Sequence, residues 1–276
     1  MQEGAVIPDW TTLLFVPADR PERYAKAAAC GADAIVIDLE DAVSPAAKIA
    51  AREVLSAASL NALNIPLVAR INGVDTPWFD DDMAVVTALP FDAIMLPKAD
   101  SAAVISEVVR RVADRHVIAL IETPLGLAAA RDIARAGSSR LAFGSIDFCA
   151  AVGCMHERDA LLAARNELVL ASSLGAITSP LDGVTTKIGD AAGCEDDARY
   201  ARTLGFSGKL CIHPAQIEPT VKGFMPGEEE IAWAKKVLEK CGEGAAAVAG
   251  FMVDAPVRLG AERVLARASR RYSSDQ

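Results

Sequence analysis

VIALIETPLGLAAARDIARAGSSRLAFGSID, residues 117–147, is the stretch that decides the fold. Residues 117–121 form a short apolar, β-branched run, 125–136 an alanine-rich amphipathic segment, and 141–143 a second apolar run. That is a strand, a helix and another strand. Each apolar run is followed by an acid: Glu122 directly after the first, Asp147 shortly after the second. An acid where a buried strand emerges is badly placed for packing and well placed to hold a hard cation such as Mg²⁺ through oxygen.

The same unit recurs on both sides. Further apolar runs lie at 13–16, 34–38, 67–71, 93–96, 175–179 and 210–212, and amphipathic segments at 22–30, 46–59, 102–115 and 159–172. Eight strands alternating with helices in 276 residues predict a (β/α)8 TIM barrel in preference to an open doubly wound sheet. No GxGxxG opens a helix, which lowers the nucleotide-binding alternative. After the eighth run Met225-Pro226-Gly227 breaks the chain; 228–240 reads as a helix, 242–249 as a small-residue hinge and 254–268 as a last helix. The expected organisation is a catalytic barrel over 1–224 and a C-terminal helical lid or extension over 225–276, with a polar tail from Arg270.

Hydrophobic residues make up 52%, enough for a sizeable core, while aromatics are only 5%. The net charge of −9, from 28 basic and 37 acidic residues, argues against a general binder of nucleic acid or membrane surfaces. No apolar run reaches the roughly 18 residues of a membrane span, and Met1-Gln2-Glu3 starts no signal peptide, so a cytoplasmic protein is expected. Six cysteines without a CxxC, beside three histidines, indicate neither a zinc site nor a disulfide framework. Cys149 and Cys154 have no local basic residue that marks a thiolate nucleophile, and they read as packing residues. His116 and His156 read as surface or strand-end residues, and Asp80-Asp81-Asp82 as the acidic first turn of a helix.

On a barrel, the polar residues that close the strands share one rim. Asp38, Glu40 and Asp41 follow strand two, Arg70 and Asn72 end strand three, Lys98 follows strand four, Glu122 ends strand five and Asp147 follows strand six. Barrel enzymes assemble their sites on that face. Glu122 and Asp147 can give Mg²⁺ two oxygens and leave positions for water and a chelating α-hydroxy or α-keto acid. Arg70 offers a planar fork to a carboxylate or a developing enolate, and Glu40 and Asp41 can orient Arg70 or accept from metal-bound waters.

Seven ordered motifs make the chain recognisable: Leu14-Phe15-Val16-Pro17 with Arg20-Pro21 and Lys26, Asp38-Leu39-Glu40-Asp41-Ala42-Val43, Ala69-Arg70-Ile71-Asn72, Leu96-Pro97-Lys98, Ile121-Glu122-Thr123-Pro124, Gly144-Ser145-Ile146-Asp147, and Gly208-Lys209-Leu210-Cys211-Ile212-His213-Pro214-Ala215-Gln216. Together they closely resemble the citrate lyase beta-subunit-like family, which includes malyl-CoA and citramalyl-CoA lyases. The resemblance implies a Mg²⁺-dependent carbon–carbon lyase, often trimeric, that cleaves a 3-hydroxyacyl-CoA thioester to acetyl-CoA and a 2-oxo acid. By motif, Glu122 and Asp147 match the metal ligands, Arg70 the arginine beside the thioester carbonyl, and Arg20 and Lys26 the positions that contact CoA phosphates. Met252-Val253-Asp254-Ala255-Pro256 is similar to a lid motif whose aspartate, here Asp254, acts as acid/base in a neighbouring subunit. The related aldolase branch uses a histidine base, and Val16-Pro17-Ala18-Asp19 has none. Two alternatives stand beside this reading: a beta subunit handling a carrier-protein thioester within a larger complex, and a non-catalytic barrel with a binding role.

Overall fold

The computed structural model describes residues 7–240, 247–248, 251–252 and 254–269. Helix and strand alternate as β1 (Thr12–Pro17), α1 (Tyr24–Ala28), β2 (Ala34–Asp38), α2 (Lys48–Ala57), β3 (Leu67–Arg70), α3 (Phe79–Ala88), β4 (Ala93–Leu96), α4 (Ala102–Val112), β5 (His116–Ile121), α5 (Pro124–Arg135) and β6 (Arg140–Phe143). They continue as α6 (Ser145–Val152), α7 (Arg158–Leu174), β7 (Thr178–Asp182), α8 (Ala191–Leu204), β8 (Gly208–Cys211) and α9 (Ile217–Phe224). The eight strands are parallel and close into a barrel in sequence order, β1 pairing with both β2 and β8. The chain is therefore the (β/α)8 barrel that the alternation predicts.

The barrel holds because its strands are buried on both faces. Inward residues Leu13, Val36, Val68, Met95, Ile118, Leu120, Leu181 and Leu210 form one core cluster with Ile7 and Trp10, which precede β1. Truncating one of these leucines to alanine costs about 2–5 kcal/mol. At the end where the strands begin, Arg140 is fully buried and donates to the carbonyls of Ser179 (2.8 Å) and Trp10 (2.7 Å) and to the Ser207 hydroxyl (2.8 Å). That end is a stability plug.

Strand seven lies at Thr178–Asp182, three residues beyond the expected 175–179. Gly175 ends α7 instead, its amide bonded to the Ala171 carbonyl, and Ala176 is left-handed at φ +53. A side chain on Gly175 would press into Ala134 of α5, so this glycine serves helix packing. Pro180 hides the strand from a pattern reading because it has no N–H to give a ladder; it is accommodated where the β6–β7 register is irregular.

The chain divides into two compact units, 1–222 and 223–276. In the second, α10 (Glu228–Lys240) and α11 (Ala255–Ser269) bury Ala234, Val237 and Ala261 against Leu238, Val257, Val264 and Leu265. A two-stranded ribbon, β9 (Ala247–Val248) with β10 (Phe251–Met252), lies between these helices in the chain. Most of the expected hinge at 242–249 and the tail from Arg270 fall outside the described residues. Among the described residues no helix is long and apolar enough to cross a membrane.

Candidate active site

Asp38 and Arg70 close β2 and β3 in direct register, so the parallel pairing alone sets them side by side. Arg70 donates from Nε to Asp38 Oδ1 at 2.7 Å and from Nη2 to Oδ2 at 2.6 Å. Its third nitrogen, Nη1, is 3.1 Å from Glu40 Oε2 and 3.9 Å from Asp41. The expectation that Arg70 keeps a free fork for substrate is thus corrected: the forked edge belongs to Asp38, and only the Nη1 side faces Glu40 and Asp41. Burial works against the Arg70 charge, but Asp38, Glu40 and Asp41 outweigh it and hold the guanidinium more firmly protonated than usual. Its guanidinium also rests 4.7 Å above the Phe15 ring.

The loop after β2 is clamped from several sides. Asp38 accepts the amides of Glu40 (2.9 Å) and Ala42 (3.0 Å), while Lys48 donates to the carbonyls of Leu39 (2.7 Å) and Glu40 (2.6 Å). Asn72 donates to the Leu39 carbonyl at 3.0 Å and to Asp82. Asp82 is accordingly a buried anchor, set in the first turn of α3 and paired to Arg52 at 2.9 Å. These bonds point Glu40 inward, where it is buried and ion-paired to Lys98 Nζ at 2.7 Å.

Lys98 has φ +47, a conformation that costs a lysine about 1–3 kcal/mol. It turns the Lys98 amide onto Glu122 Oε1 at 2.9 Å while Nζ reaches Glu40. Glu122 is only 2% exposed, and burial, with the Glu40 charge beside it, pushes its carboxyl up to about 8 against the pull of Lys98 and Arg70. Glu40 is raised too, first by burial, and Arg70 and Lys98 oppose the rise. Across from Glu122, the β6–α6 turn passes so close that a side chain on Gly144 would overlap its carboxylate. Two residues beyond Ser145, in the first turn of α6, Asp147 stands exposed.

Glu122, Asp147, Arg70, Asp38 and Asp41 all line one pocket of about 770 Å³ at the C-terminal mouth of the barrel. Leu14, Leu120, Phe143, Val184 and Leu210 form its apolar wall. Arg23, Lys26 and His213 also line it; Arg20 does not, and lies exposed 3.8 Å from Asp19. Asp254 belongs to the second unit, where it caps α11 by accepting the Val257 amide at 3.1 Å and is exposed.

The donor set suits a hard divalent ion. Glu122 and Asp147 offer only oxygen, Glu122 sits in surplus negative charge that a cation relieves, and Glu40 Oε2 is buried without a hydrogen bond, its 3.1 Å approach to Arg70 being an ion contact out of alignment. Among the described residues no three His, Cys, Asp or Glu side chains converge on one point, so an ion held by Glu122 and Asp147 would take its remaining ligands from water and substrate.

Sequence reasoning passed over several neighbours. Asp38 stands on the rim in the sequence reading but with no role of its own, because only the strand register sets it opposite Arg70. Ser145 lines the pocket and shares a 2.9 Å hydrogen bond with His156 Nε2. Burial, then the Arg165 and Lys209 charges, hold His156 below its usual value and hence neutral at pH 7. Asp182 closes β7, bonded to Arg165 at 2.9 Å with Lys209 at 3.8 Å; the misplaced seventh strand concealed it.

A closed barrel with clamped, mutually paired charges at the mouth of a C-terminal pocket is the arrangement of a barrel enzyme. The family model described as HpcH/HpaI aldolase/citrate lyase matches residues 11–214, and the chain belongs to that family of carbon–carbon lyases. It is 40% identical over 284 residues to the "Citrate lyase subunit beta-like protein" of Mycobacterium tuberculosis, covering 99% of this chain and 100% of that one. It is 32% identical to the "(3S)-malyl-CoA thioesterase" of Cereibacter sphaeroides, covering 93% of this chain and 94% of the relative. The crystal structure of CitE from M. tuberculosis in complex with magnesium, acetoacetate and coenzyme A superposes with a TM-score of 0.84 at 39% identity, over 94% of this chain and 98% of that one.

Proposed function

We propose that this lyase is Mg²⁺-dependent and cleaves a 3-hydroxyacyl-CoA thioester of the malyl-CoA or citramalyl-CoA type to acetyl-CoA and a 2-oxo acid. The observation that carries the reading is the pairing of Glu122 and Asp147 in one pocket with an arginine whose orientation Asp38 fixes. The magnesium, acetoacetate and coenzyme A bound by the M. tuberculosis CitE structure support it.

Glu122 and Asp147 would hold the metal, which would lower the pKa of the substrate hydroxyl and stabilise the 2-oxo acid end. Arg70, locked by Asp38, directs Nη1 toward the thioester oxygen as the carbon–carbon bond breaks and its electrons pass into the acetyl-CoA enolate. Glu40 and Asp41 balance Arg70, and Glu40 Oε2, buried without a hydrogen bond, would be free to accept one from water when the metal site is filled. Lys26 and Arg23 meet the phosphates of CoA at the pocket's open side, with Arg20 as a further outer contact. Asp254, from a neighbouring subunit of a trimer, protonates the enolate carbon. The enzyme works in the cytoplasm.

The test is an assay of the purified protein with Mg²⁺ and malyl-, methylmalyl- and citramalyl-CoA, following acetyl- or propionyl-CoA. No acyl-CoA product from any of them rejects the reading. The likeness to a named malyl-CoA thioesterase supports a second reading, hydrolysis of the thioester, which the same assay separates by free CoA. Turnover only of a carrier-protein thioester assigns the chain to a larger complex instead.

A further inference from the structure

Cys149, in the last turn of α6, and Cys154, just past it, place their sulfurs 3.6 Å apart. The helix ends on Gly153 at φ +78, and the amides of Gly153 (2.8 Å) and Cys154 (3.2 Å) both donate to the Cys149 carbonyl. This left-handed cap folds the chain back so that residue 154 lies against residue 149. A disulfide holds its sulfurs at about 2.05 Å, so a closure of about 1.5 Å is needed, within the reach of side-chain rotation once the cap has brought the backbone round. Cys149 is buried and Cys154 partly exposed, which orders the chemistry.

We propose that Cys149 and Cys154 form a reversible thiol–disulfide site, oxidised by hydroperoxides, that controls the metal end of the active site. The Cys154 sulfur takes the distal oxygen of the peroxide, giving a sulfenic acid and releasing water or an alcohol. The Cys149 sulfur then attacks the Cys154 sulfur, the S–O bond breaks and a second water leaves. Two thiols are oxidised by two electrons, and the peroxide is reduced by two.

Control follows from what the cysteines are attached to. Asp147 is two residues from Cys149 on the same short helix. The segment that carries Cys154 also carries Met155, whose carbonyl accepts from Cys149 Sγ at 3.6 Å, and His156, which holds Ser145 at the start of α6. Pulling Cys154 inward removes the first of these bonds and drags on the second, so α6 is disturbed at both ends. The covalent link is independent of the substrate; its effect rests on Asp147 as a metal ligand in the proposed function.

Arg140 and Arg158 bracket both cysteines, so trypsin releases them in one peptide. After treatment with hydrogen peroxide and blocking of free thiols, that peptide is expected to lack two hydrogens and to resist alkylation, and dithiothreitol is expected to reverse both changes. Calorimetric titration with Mg²⁺ is expected to show affinity falling by about 10–100-fold on oxidation, the range seen when support around a metal ligand is lost. Cys154→Ser should bind Mg²⁺ like the reduced protein and ignore peroxide. Alkylation of both cysteines after oxidation overturns the link; a linked protein with unchanged Mg²⁺ affinity overturns the control. Reduced protein that binds no Mg²⁺ rejects the metal assignment and the control with it, while the peptide mass still reads the link.

Discussion

Glu122→Gln is expected to stabilise the metal-free barrel at neutral pH and to remove its response to Mg²⁺. The folded carboxyl is held at about 8 by burial and Glu40, against an ordinary value of 4.5. From pH 4.5 to 7 an unfolded chain gives up this proton while the folded chain keeps it. Stability therefore falls as pH rises through that range and levels off above about 8. At about 1.4 kcal/mol for each tenfold change, the loss at pH 7 is about 3 kcal/mol as an upper value and about 2 kcal/mol after relaxation of so crowded a group. Glutamine keeps the shape and the acceptor for the Lys98 amide without the charge. Melting in EDTA should rise by roughly 4–8 °C at pH 7, since about 1 kcal/mol is worth 2–4 °C in a chain near this size, and should be unchanged at pH 4.5. Magnesium at about a hundred times its Kd should add about 2.7 kcal/mol to the wild type and nothing to the variant. A variant no more stable than wild type at pH 7, or one that still melts higher with Mg²⁺, refutes this account of Glu122.

Arg70→Lys cannot serve Asp38 through two donors and Glu40 through a third, so kcat/KM is expected to fall by about 10²-fold or more, and near-normal kinetics would make the arginine a structural partner only. Gly144→Ala drives a methyl into the Glu122 carboxylate and should weaken Mg²⁺ binding by at least about tenfold while the barrel stays folded by circular dichroism; unchanged affinity would place the metal elsewhere. Asp254→Asn should bind Mg²⁺ and CoA yet fail to exchange protons at the acyl carbon, and mixing it with Glu122→Gln under subunit exchange should restore part of the activity. Full activity in Asp254→Asn rejects its role, and failed rescue despite proven exchange rejects the geometry in trans.

The fold was legible because in a barrel the strands are buried on both sides and read as unbroken apolar runs. Seven of eight overlap their strands within a residue or two, and 34–38 and 93–96 coincide with β2 and β4. The exception, β7, carries Pro180 and closes on Asp182, and neither resembles a buried strand. Helices α6 and α8 do not show in the pattern for related reasons: α6 is short and, apart from Ser145 and Asp147, apolar, whereas α8 opens on Ala-Ala-Gly-Cys and then runs through charged residues.

The site was legible one residue at a time, and its pairing was not. A run of apolar residues shows where a strand ends, so Arg70, Glu122 and Asp147 could each be placed on the rim; only strand register shows that Asp38 faces Arg70 and takes its fork. That pairing changes the chemistry. With Asp38 and Glu40 answering Arg70, and Glu40 answering Lys98, both central cations are committed, and Lys98 Nζ stands 3.8 Å from Glu122. Asp147 has no ion pair among the described residues, and Glu122 is left almost wholly buried with a carboxyl that no cation fully neutralises. A buried carboxylate in that state either keeps its proton or takes a cation, and the proposed metal role of Glu122 rests on the second choice, with Asp147 lining the same pocket. The strained backbone at Lys98 belongs to the same arrangement, since in that turn the amide donates to Glu122 while the ammonium donates to Glu40.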